Sequence, residues 1–129
     1  MQRLTQREEY VMQIVWKLKE GFVKDVIAEY PAPEPPYNTV SSIIRILEEK
    51  GYVGHKAYGR THLYFPLISM EEFRAQSLNE LVENYFSGSV NALVSQMVAE
   101  EPLPEDEIEK LKAIIEAAER RQKEGSGNE

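Results

Sequence analysis

The first regularly spaced apolar residues of the chain predict a helix from about residue 6 to residue 19. They recur three or four positions apart, as on the buried side of a helix: Val11, Ile14, Val15 and Leu18. Thr5 and Glu8 have the T-x-x-E spacing of a capping box, so the helix is expected to begin there. Gly21 is expected to end it.

Two further helices are predicted on either side of a proline-rich segment. Val23 to Tyr30 fits a short helix, and "PAPEPP" at 31–36 must end it, because proline lacks a backbone donor. The stretch "YNTVSSIIRILEEKG" at 37–51 fits a third helix, which Gly51 stops. The inward positions of that helix are all apolar: Val40, Ile43, Ile44 and Leu47.

The opposite side of the third helix is short and polar. It is made by Asn38, Ser42, Arg45 and Glu49, with Ser41 at one edge and Thr39 and Ile46 at the other. The hydrogen-bonding side chains stand near the helix start and the carboxylates near its end. A polar helix side is most often plain solvated surface, so its meaning depends on the neighbouring elements.

The period of the pattern changes after Gly51. "YVGHKAYGRTHLYFPL" at 52–67 is rich in Tyr, Val, Thr and Phe, which favour strands, and "YGRT" interrupts it in the middle. We predict a hairpin with strands at 52–57 and 61–66 and with Gly59 in the turn.

Three helices are predicted in the C-terminal half. Ser69 and Glu72 form a second capping box, "SGS" at 87–89 breaks the helical pattern, and "EEPLPEDE" precedes the last helix. Three short helices enclose little core of their own, so we expect them to form a homodimer; folding back on the N-terminal half as a monomer is the alternative. The predicted dimer residues are Leu78, Leu81, Val82, Tyr85, Val90, Leu93, Val94, Met97, Ile108, Leu111 and Ile115.

The predicted fold is mainly α with a small β-hairpin. Helix, helix, proline-rich turn, polar-sided helix and hairpin is the element order of a winged helix-turn-helix. We predict a winged helix-turn-helix DNA-binding domain at 1–68, a helical dimerisation domain at 69–123 and a disordered tail at 124–129.

Charge is distributed unevenly along the chain. The net charge is −7, but residues 1–68 hold nine basic and eight acidic side chains, whereas residues 69–129 hold six and fourteen. Between Arg45 and His62 only Glu48 and Glu49 oppose a group of basic residues. This local basic patch permits nucleic-acid binding, although the acidic total weakens long-range attraction to phosphate.

The winged-helix order gives the polar side of the third helix a function. The third helix of this fold enters the major groove and the hairpin lies against the DNA backbone. Arg45 has the planar fork that pairs with guanine or grips a phosphate. The candidate DNA-binding residues are Tyr37, Asn38, Thr39, Ser41, Ser42, Arg45, His55, Lys56, Arg60 and His62.

Other classes of function have little support in the sequence. It contains no G-x-S-x-G, no phosphate-binding glycine loop and no H-E-x-x-H, so we expect neither an enzyme nor a cofactor. His55 and His62 have no third metal ligand nearby in sequence, and the chain has no cysteine. No membrane span or signal peptide is predicted, which favours a cytoplasmic protein.

Three long segments resemble the penicillinase-repressor family, the BlaI/MecI/CopY type of bacterial winged-helix repressors. They are "LTQREEYVMQIVWKL", "NTVSSIIRILEEKGYVGHKAYGRTHLYFPL" and "NALVSQMVAEEPLPEDEIEKLKAII", in the family's order and over nearly the whole chain. The resemblance implies a homodimeric transcriptional repressor whose N-terminal domain binds a palindromic operator in double-stranded DNA. A winged-helix module that binds a protein and not DNA is the alternative.

The resemblance also implies how repression is relieved. In family members that govern β-lactam resistance, a membrane metalloprotease sensor, or a protease that it triggers, cuts an Asn-Phe bond in the C-terminal domain. Gln96-Met97 stands at that position here, which departs from the family pattern. The copper-responsive branch carries a C-terminal cysteine cluster, and because this chain has no cysteine, copper sensing is not expected.

Overall fold

The predicted fold class is confirmed: a computed structural model describes residues 2–127 as helices and one antiparallel hairpin. The N-terminal elements have the order of a winged helix. In chain order they are α1 (Gln6–Leu18), α2 (Val23–Ala28), α3 (Tyr37–Glu49), β1 (Val53–Tyr58) and β2 (Thr61–Pro66). The C-terminal helices are α4 (Met70–Phe86), α5 (Val90–Glu100) and α6 (Glu105–Gly127).

One hydrophobic core holds α1, α2, α3 and the hairpin together. The inward positions predicted for α1 and α3 supply seven of its fourteen buried residues, and the hairpin with the residue before it adds Tyr52, Val53 and Tyr64. Its fully enclosed side chains come from all four elements: Val11, Met12, Val15, Val26, Val40, Ile44, Leu47 and Val53. The core therefore fixes α3 against the rest of the domain, with its other side turned outward.

The end of α1 differs from the prediction. The helix begins with the expected capping box, in which Thr5 Oγ1 accepts from the Glu8 backbone and Glu8 accepts from the Thr5 backbone. It ends at Leu18, where Lys19 takes the left-handed backbone conformation (φ 71°), so the prediction that Gly21 ends it was wrong. Gly21 instead exchanges two backbone hydrogen bonds of 2.9 Å with Tyr64, which attaches the hairpin to the α1–α2 connection.

Helix α3 ends at Glu49 and, as predicted, Gly51 stops it. This glycine has φ 85°, a left-handed conformation that favours residues without a Cβ. The Gly51 and Tyr52 amides donate to the carbonyls of Glu48 and Leu47 at 3.0 and 2.9 Å, which is the hydrogen-bonding pattern of a Schellman motif. The chain thus reverses sharply into β1. Helix α2 is shorter than predicted and ends at Ala28.

The hairpin forms with the predicted turn. Val53 pairs with Pro66 and Tyr58 with Thr61, so β1 begins and ends one residue later than predicted. Gly59 has φ +62° in the two-residue turn, and no heavy atom lies within 4 Å of a Cβ built there. The turn is therefore at the open tip of the hairpin.

The described chain separates into two compact units, and the division falls between Leu78 and Asn79 inside α4. The predicted domain boundary at residue 68 lies ten residues earlier. The start of α4 belongs with the first unit, because the Phe73 ring lies 5.3 Å from Trp16 and 6.0 Å from Tyr52 between centroids.

The second unit contains the rest of α4 and the helices α5 and α6. Ser89 caps α5 by accepting from the Ala92 amide at 3.0 Å, after Ser87 and Gly88 turn the chain with positive φ. Helix α6 extends to Gly127, so the segment predicted as a disordered tail is helical at 124–127, and 128–129 lie outside the described residues. Among the helices that the structure describes, none is long and apolar enough to cross a membrane.

Candidate nucleic-acid interface

The polar side of α3 is open to solvent. Asn38, Ser42, Arg45 and Glu49 are exposed and form one side of the helix, opposite the core residues Val40, Ile44 and Leu47. Tyr37 is 53% exposed at the helix start, and Thr39 is partly buried at the edge. This arrangement leaves a helix side of short polar groups and one guanidinium unobstructed by the described part of the chain.

Ser41 does not belong to this exposed surface. The prediction put it at the edge of the polar side, but its exposure is only 8%. It precedes Ile44 by three positions, which puts both residues on the same side of the helix, and Ile44 is fully enclosed. Ser41 is therefore withdrawn from the candidate DNA contacts, and its small side chain belongs to the packed side of α3.

The hairpin carries two cationic side chains and a histidine at its surface. Lys56, Arg60 and His62 are all exposed, with Arg60 in the turn between the strands. The Lys56 ammonium lies 6.0 Å from the centroid of the Phe65 ring, a distance at which a cation is attracted weakly to the ring face. The tip of the hairpin is thus cationic and free to approach a phosphate.

His55 connects the hairpin to α3. Its Nδ1 contacts a carboxylate oxygen of Glu48, and its ring stacks on His62 with centroids 4.1 Å apart and planes 7° from parallel. Tyr64 lies beneath both imidazoles, and burial, followed by the nearby Glu48 carboxylate, raises the pKa of its phenol. These contacts fix the position of the hairpin relative to the polar side of α3.

Lys50 is not available to a ligand, although it belongs to the basic patch seen in the sequence. Its ammonium lies 2.5 Å from Glu8 Oε1 and donates to the Arg3 carbonyl at 2.8 Å. Burial alone would raise the pKa of Glu8, but hydrogen bonds from Lys50 and Thr5 outweigh it and lower that pKa. This ion pair stabilises the fold and subtracts one cation from the surface.

The structure adds one basic residue that the sequence analysis missed. A cleft of about 210 Å³ between α2, α3 and the hairpin is lined by Lys24 together with Tyr37, Thr61 and His62. Lys24 follows Val23 at the start of the second helix, so its place in the helix-turn-helix order was a usable signal. It extends the cationic surface across the start of α3.

The predicted dimer residues form the apolar surface of the C-terminal helices. Tyr85, Val90 and Met97 are 74%, 64% and 60% exposed, whereas Val82 is already buried and Leu93 half-buried within the single chain. The other predicted positions are exposed to 36% or more: Leu78, Leu81, Val94, Ile108, Leu111 and Ile115.

The predicted cleavage position lies inside a helix. Gln96 and Met97 are in α5, and the side-chain amide of Gln96 donates through Nε2 to Glu100 Oε1 at 3.0 Å. Both residues are exposed, although their backbone belongs to a regular helix. No group of three or more His, Cys, Asp or Glu side chains in residues 2–127 is arranged to hold a metal ion.

Comparison with known proteins agrees with this architecture. Residues 4–117 match the penicillinase repressor family. The methicillin resistance regulatory protein MecI of Staphylococcus aureus strain N315 is 26% identical over 113 residues, which cover 87% of this chain and 92% of MecI. The penicillinase repressor of Bacillus licheniformis is 24% identical over 123 residues, covering 95% of this chain and 96% of that protein.

A solved structure supports the fold. A chain from the hsRosR-S4 complex covers 94% of both chains with a TM-score of 0.53, at 13% sequence identity. Because the family match spans nearly the whole sequence, with a winged helix at its N-terminal end, this chain belongs to the penicillinase repressor family.

Proposed function

We propose that this chain is a DNA-binding transcriptional repressor that acts as a homodimer on a palindromic operator. Membership of the penicillinase repressor family supports repression, and both relatives above are named for regulation or repression. The observation that carries the proposal is the exposed polar side of α3, which stands beside a hairpin bearing Lys56, Arg60 and His62.

In this proposal α3 contacts the bases and the hairpin contacts the phosphates. In the major groove, Asn38 and Ser42 hydrogen-bond to base edges or phosphates, while Arg45 pairs bidentately with a guanine. Lys56 and Arg60 neutralise phosphates beside the groove and carry no sequence information themselves. Lys24, which lines the same cleft as Tyr37 at the α3 start, contacts a further phosphate of the DNA backbone.

Dimerisation follows from the apolar surface of the second unit and from the family resemblance. Exposed side chains such as Tyr85, Val90 and Met97 lose contact with water when two copies associate. A two-fold dimer presents two α3 helices to half-sites ~34 Å apart, or a multiple of that distance, and therefore reads a palindrome.

We include relief by proteolysis in the proposal, with a membrane metalloprotease sensor as the partner. A cut at Gln96-Met97 divides α5 and separates Met97 from Val94 on the apolar surface. Because the bond lies within a helix, the protease must first bind a locally unwound α5. Cleavage would weaken the dimer and leave the winged helix intact.

Operator binding is tested by selecting DNA fragments with the purified chain and titrating the recovered site at 50 to 200 mM salt. If six or more phosphates are contacted, affinity should fall by about a thousandfold or more over this range. A recovered palindrome with that salt dependence supports the proposal. Failure to recover any site, or binding only to a protein partner without this dependence, indicates the alternative protein-interaction module.

Substitutions distinguish a residue that contacts a base from one that contacts the DNA phosphates. Arg45→Ala should relax preference at one base pair by about 1–3 kcal/mol, whereas Lys56→Ala should weaken binding to all sequences and reduce the salt slope by about one. Arg120→Ala, in the exposed surface of α6, is the matched control and should change neither property. An unchanged footprint for Arg45→Ala would remove that residue from the interface.

A further inference from the structure

A cavity of about 530 Å³ opens between α1, the proline-rich segment and α3. It lies outside the polar side of α3 and has no part in the proposed DNA contacts, apart from Thr39 at its edge. Its volume falls within the range of small-molecule sites, about 300–1,000 Å³. All of its lining residues belong to the first compact unit.

The body of the cavity suits an aromatic ring. Tyr10 and Tyr30 stand with ring centroids 4.9 Å apart and planes tilted by 52°, and Ile43 contributes an aliphatic surface from α3. Pro31, Pro33 and Pro35 also line the cavity. Proline fixes its own backbone φ angle, so this wall is largely formed before a ligand arrives and loses little conformational entropy on binding.

The lining of the cavity also includes a group that can bind an anion. Arg7 is the only charged side chain among the lining residues that the structure describes, and Gln6 stands beside it. No carboxylate in the lining competes for the guanidinium. Burial, followed by the neighbouring Tyr10, raises the pKa of the Tyr30 phenol, while the nearby Arg7 guanidinium acts to lower it.

We propose that this cavity binds a small aromatic carboxylate. A body of one or two rings packs against Tyr10, Tyr30 and the prolines, and the carboxylate meets the Arg7 guanidinium. A guanidinium donates two hydrogen bonds to a carboxylate in a bidentate, charge-assisted pair. The apolar walls and the single positive charge are together complementary to this class of ligand.

Binding in the cavity is linked to α3 as well. Thr39 and Ile43 line the cavity from the helix that carries Ser42 and Arg45 on its outer side. A ligand that prefers one placement of α3 against α1 changes affinity for DNA, and by linkage DNA changes affinity for the ligand by the same factor. This regulatory consequence rests on the proposed repressor function; the ligand site itself does not.

The test uses 2-naphthoate as the probe and neutral 2-naphthylmethanol as its matched analogue, each titrated into the full chain by two-dimensional amide NMR. We expect saturable shifts that centre on Arg7, Tyr10, Tyr30 and Ile43, with tighter binding of the acid. Arg7→Gln should reduce the affinity for 2-naphthoate by about tenfold and leave the affinity for the alcohol unchanged, because it removes only the charged partner. Arg120→Gln should affect neither ligand.

The proposal is overturned if the acid does not saturate, if shifts centre elsewhere, or if Arg7→Gln leaves its affinity unchanged. A neutral proline-rich peptide that binds here while 2-naphthoate does not would also overturn it. Because no DNA is present, these results are independent of whether the chain binds an operator. Adding 2-naphthoate to the operator titration then tests the linkage alone.

Discussion

The two compact units use their apolar residues in opposite ways. In the first unit these residues converge on one core, where Val11, Val40 and Leu47 have no measurable exposure. In the described part of the second unit, Val82 is the one buried apolar residue, and side chains as large as Tyr85 remain 74% exposed. Similar apolar spacing in sequence therefore produces a closed core in one unit and an open surface in the other.

This difference separates what each unit needs in order to be stable. The first unit gains its hydrophobic stabilisation within a single chain, which holds α3 in place before any DNA arrives. The second unit leaves apolar side chains of α4, α5 and α6 exposed, and another surface that covered them would add hydrophobic stabilisation. The proposed homodimer supplies that surface, and the following predictions test the contrast from the largest effect to the smallest.

Leu47→Ala should reduce the free energy of unfolding of the first unit by about 2–5 kcal/mol, because it creates a cavity in an enclosed core. Leu81→Ala, at a leucine that is 39% exposed in the second unit, is the matched control. Urea denaturation of dilute, monomeric protein measures both. Equal losses would break the comparison, since they would mean that the second unit also has a core of its own.

Val94→Asp should raise the dimer dissociation constant by about a hundredfold, or roughly 3 kcal/mol, because a carboxylate would have to be buried unpaired at the interface. Asn91→Asp adds the same charge to the same exposed helix and should have little effect. Analytical ultracentrifugation measures the association. The midpoint of unfolding of the first unit should stay unchanged; an intact Val94→Asp dimer would refute this interface.

Glu8→Gln should cost the first unit about 1–2 kcal/mol, because it leaves the partly buried Lys50 ammonium without its charged partner. Glu29→Gln breaks the Lys17–Glu29 pair, whose lysine is 70% exposed, and should cost less than about 1 kcal/mol. Chemical denaturation of both variants at pH 7 compares them. Equal costs would show that burial does not distinguish the two ion pairs.

The same ion pair predicts a pH dependence. The folded-state pKa of Glu8 lies below its ordinary value of 4.5, so the ionised carboxylate stabilises the fold above that value. This contribution should be lost as pH falls through the lowered pKa of the folded state. Denaturation between pH 6 and pH 3 should therefore show a steeper loss for the native chain than for Glu8→Gln.

Gly59→Ala should cost about 1 kcal/mol, because alanine is strained at φ +62° even though no atom obstructs its Cβ. Gly125→Ala offers the opposite case in the second unit, since its Cβ is equally unobstructed but the residue lies in α6. There alanine should not destabilise, and it favours the helix. Thermal unfolding that showed the same sign for both would contradict this distinction.

Much of the first unit was predictable because local signals and long-range packing agree there. The capping box at Thr5, the glycine at 51 and the hairpin turn at Gly59 all appear in the structure as the sequence indicated. The helical spacing of Ile43, Ile44 and Leu47 also predicted correctly which side of α3 is buried. Each of these features depends on residues close together in the chain.

The errors arose where distant residues decide the outcome. Gly21 looked like the end of α1, yet it pairs with Tyr64, forty-three positions away, and no local pattern reveals that contact. The helical spacing put Ser41 at the edge of the polar side of α3, but the packing around Ile44 encloses it. Lys24 is a different case: its position at the start of α2 was a usable signal, but its proximity to His62 depends on how α2 meets the hairpin.

Trp16 is the single tryptophan of the chain, so the fluorescence of the protein reports on the junction before α4. Trp16 Nε1 donates to the Ile68 carbonyl at 2.8 Å, and its ring meets Phe73. Loosening of this junction would admit water to the indole and move its emission to longer wavelength. The emission of Trp16 therefore reports, without an added label, whether a change in α5 or α6 alters this junction in the first unit.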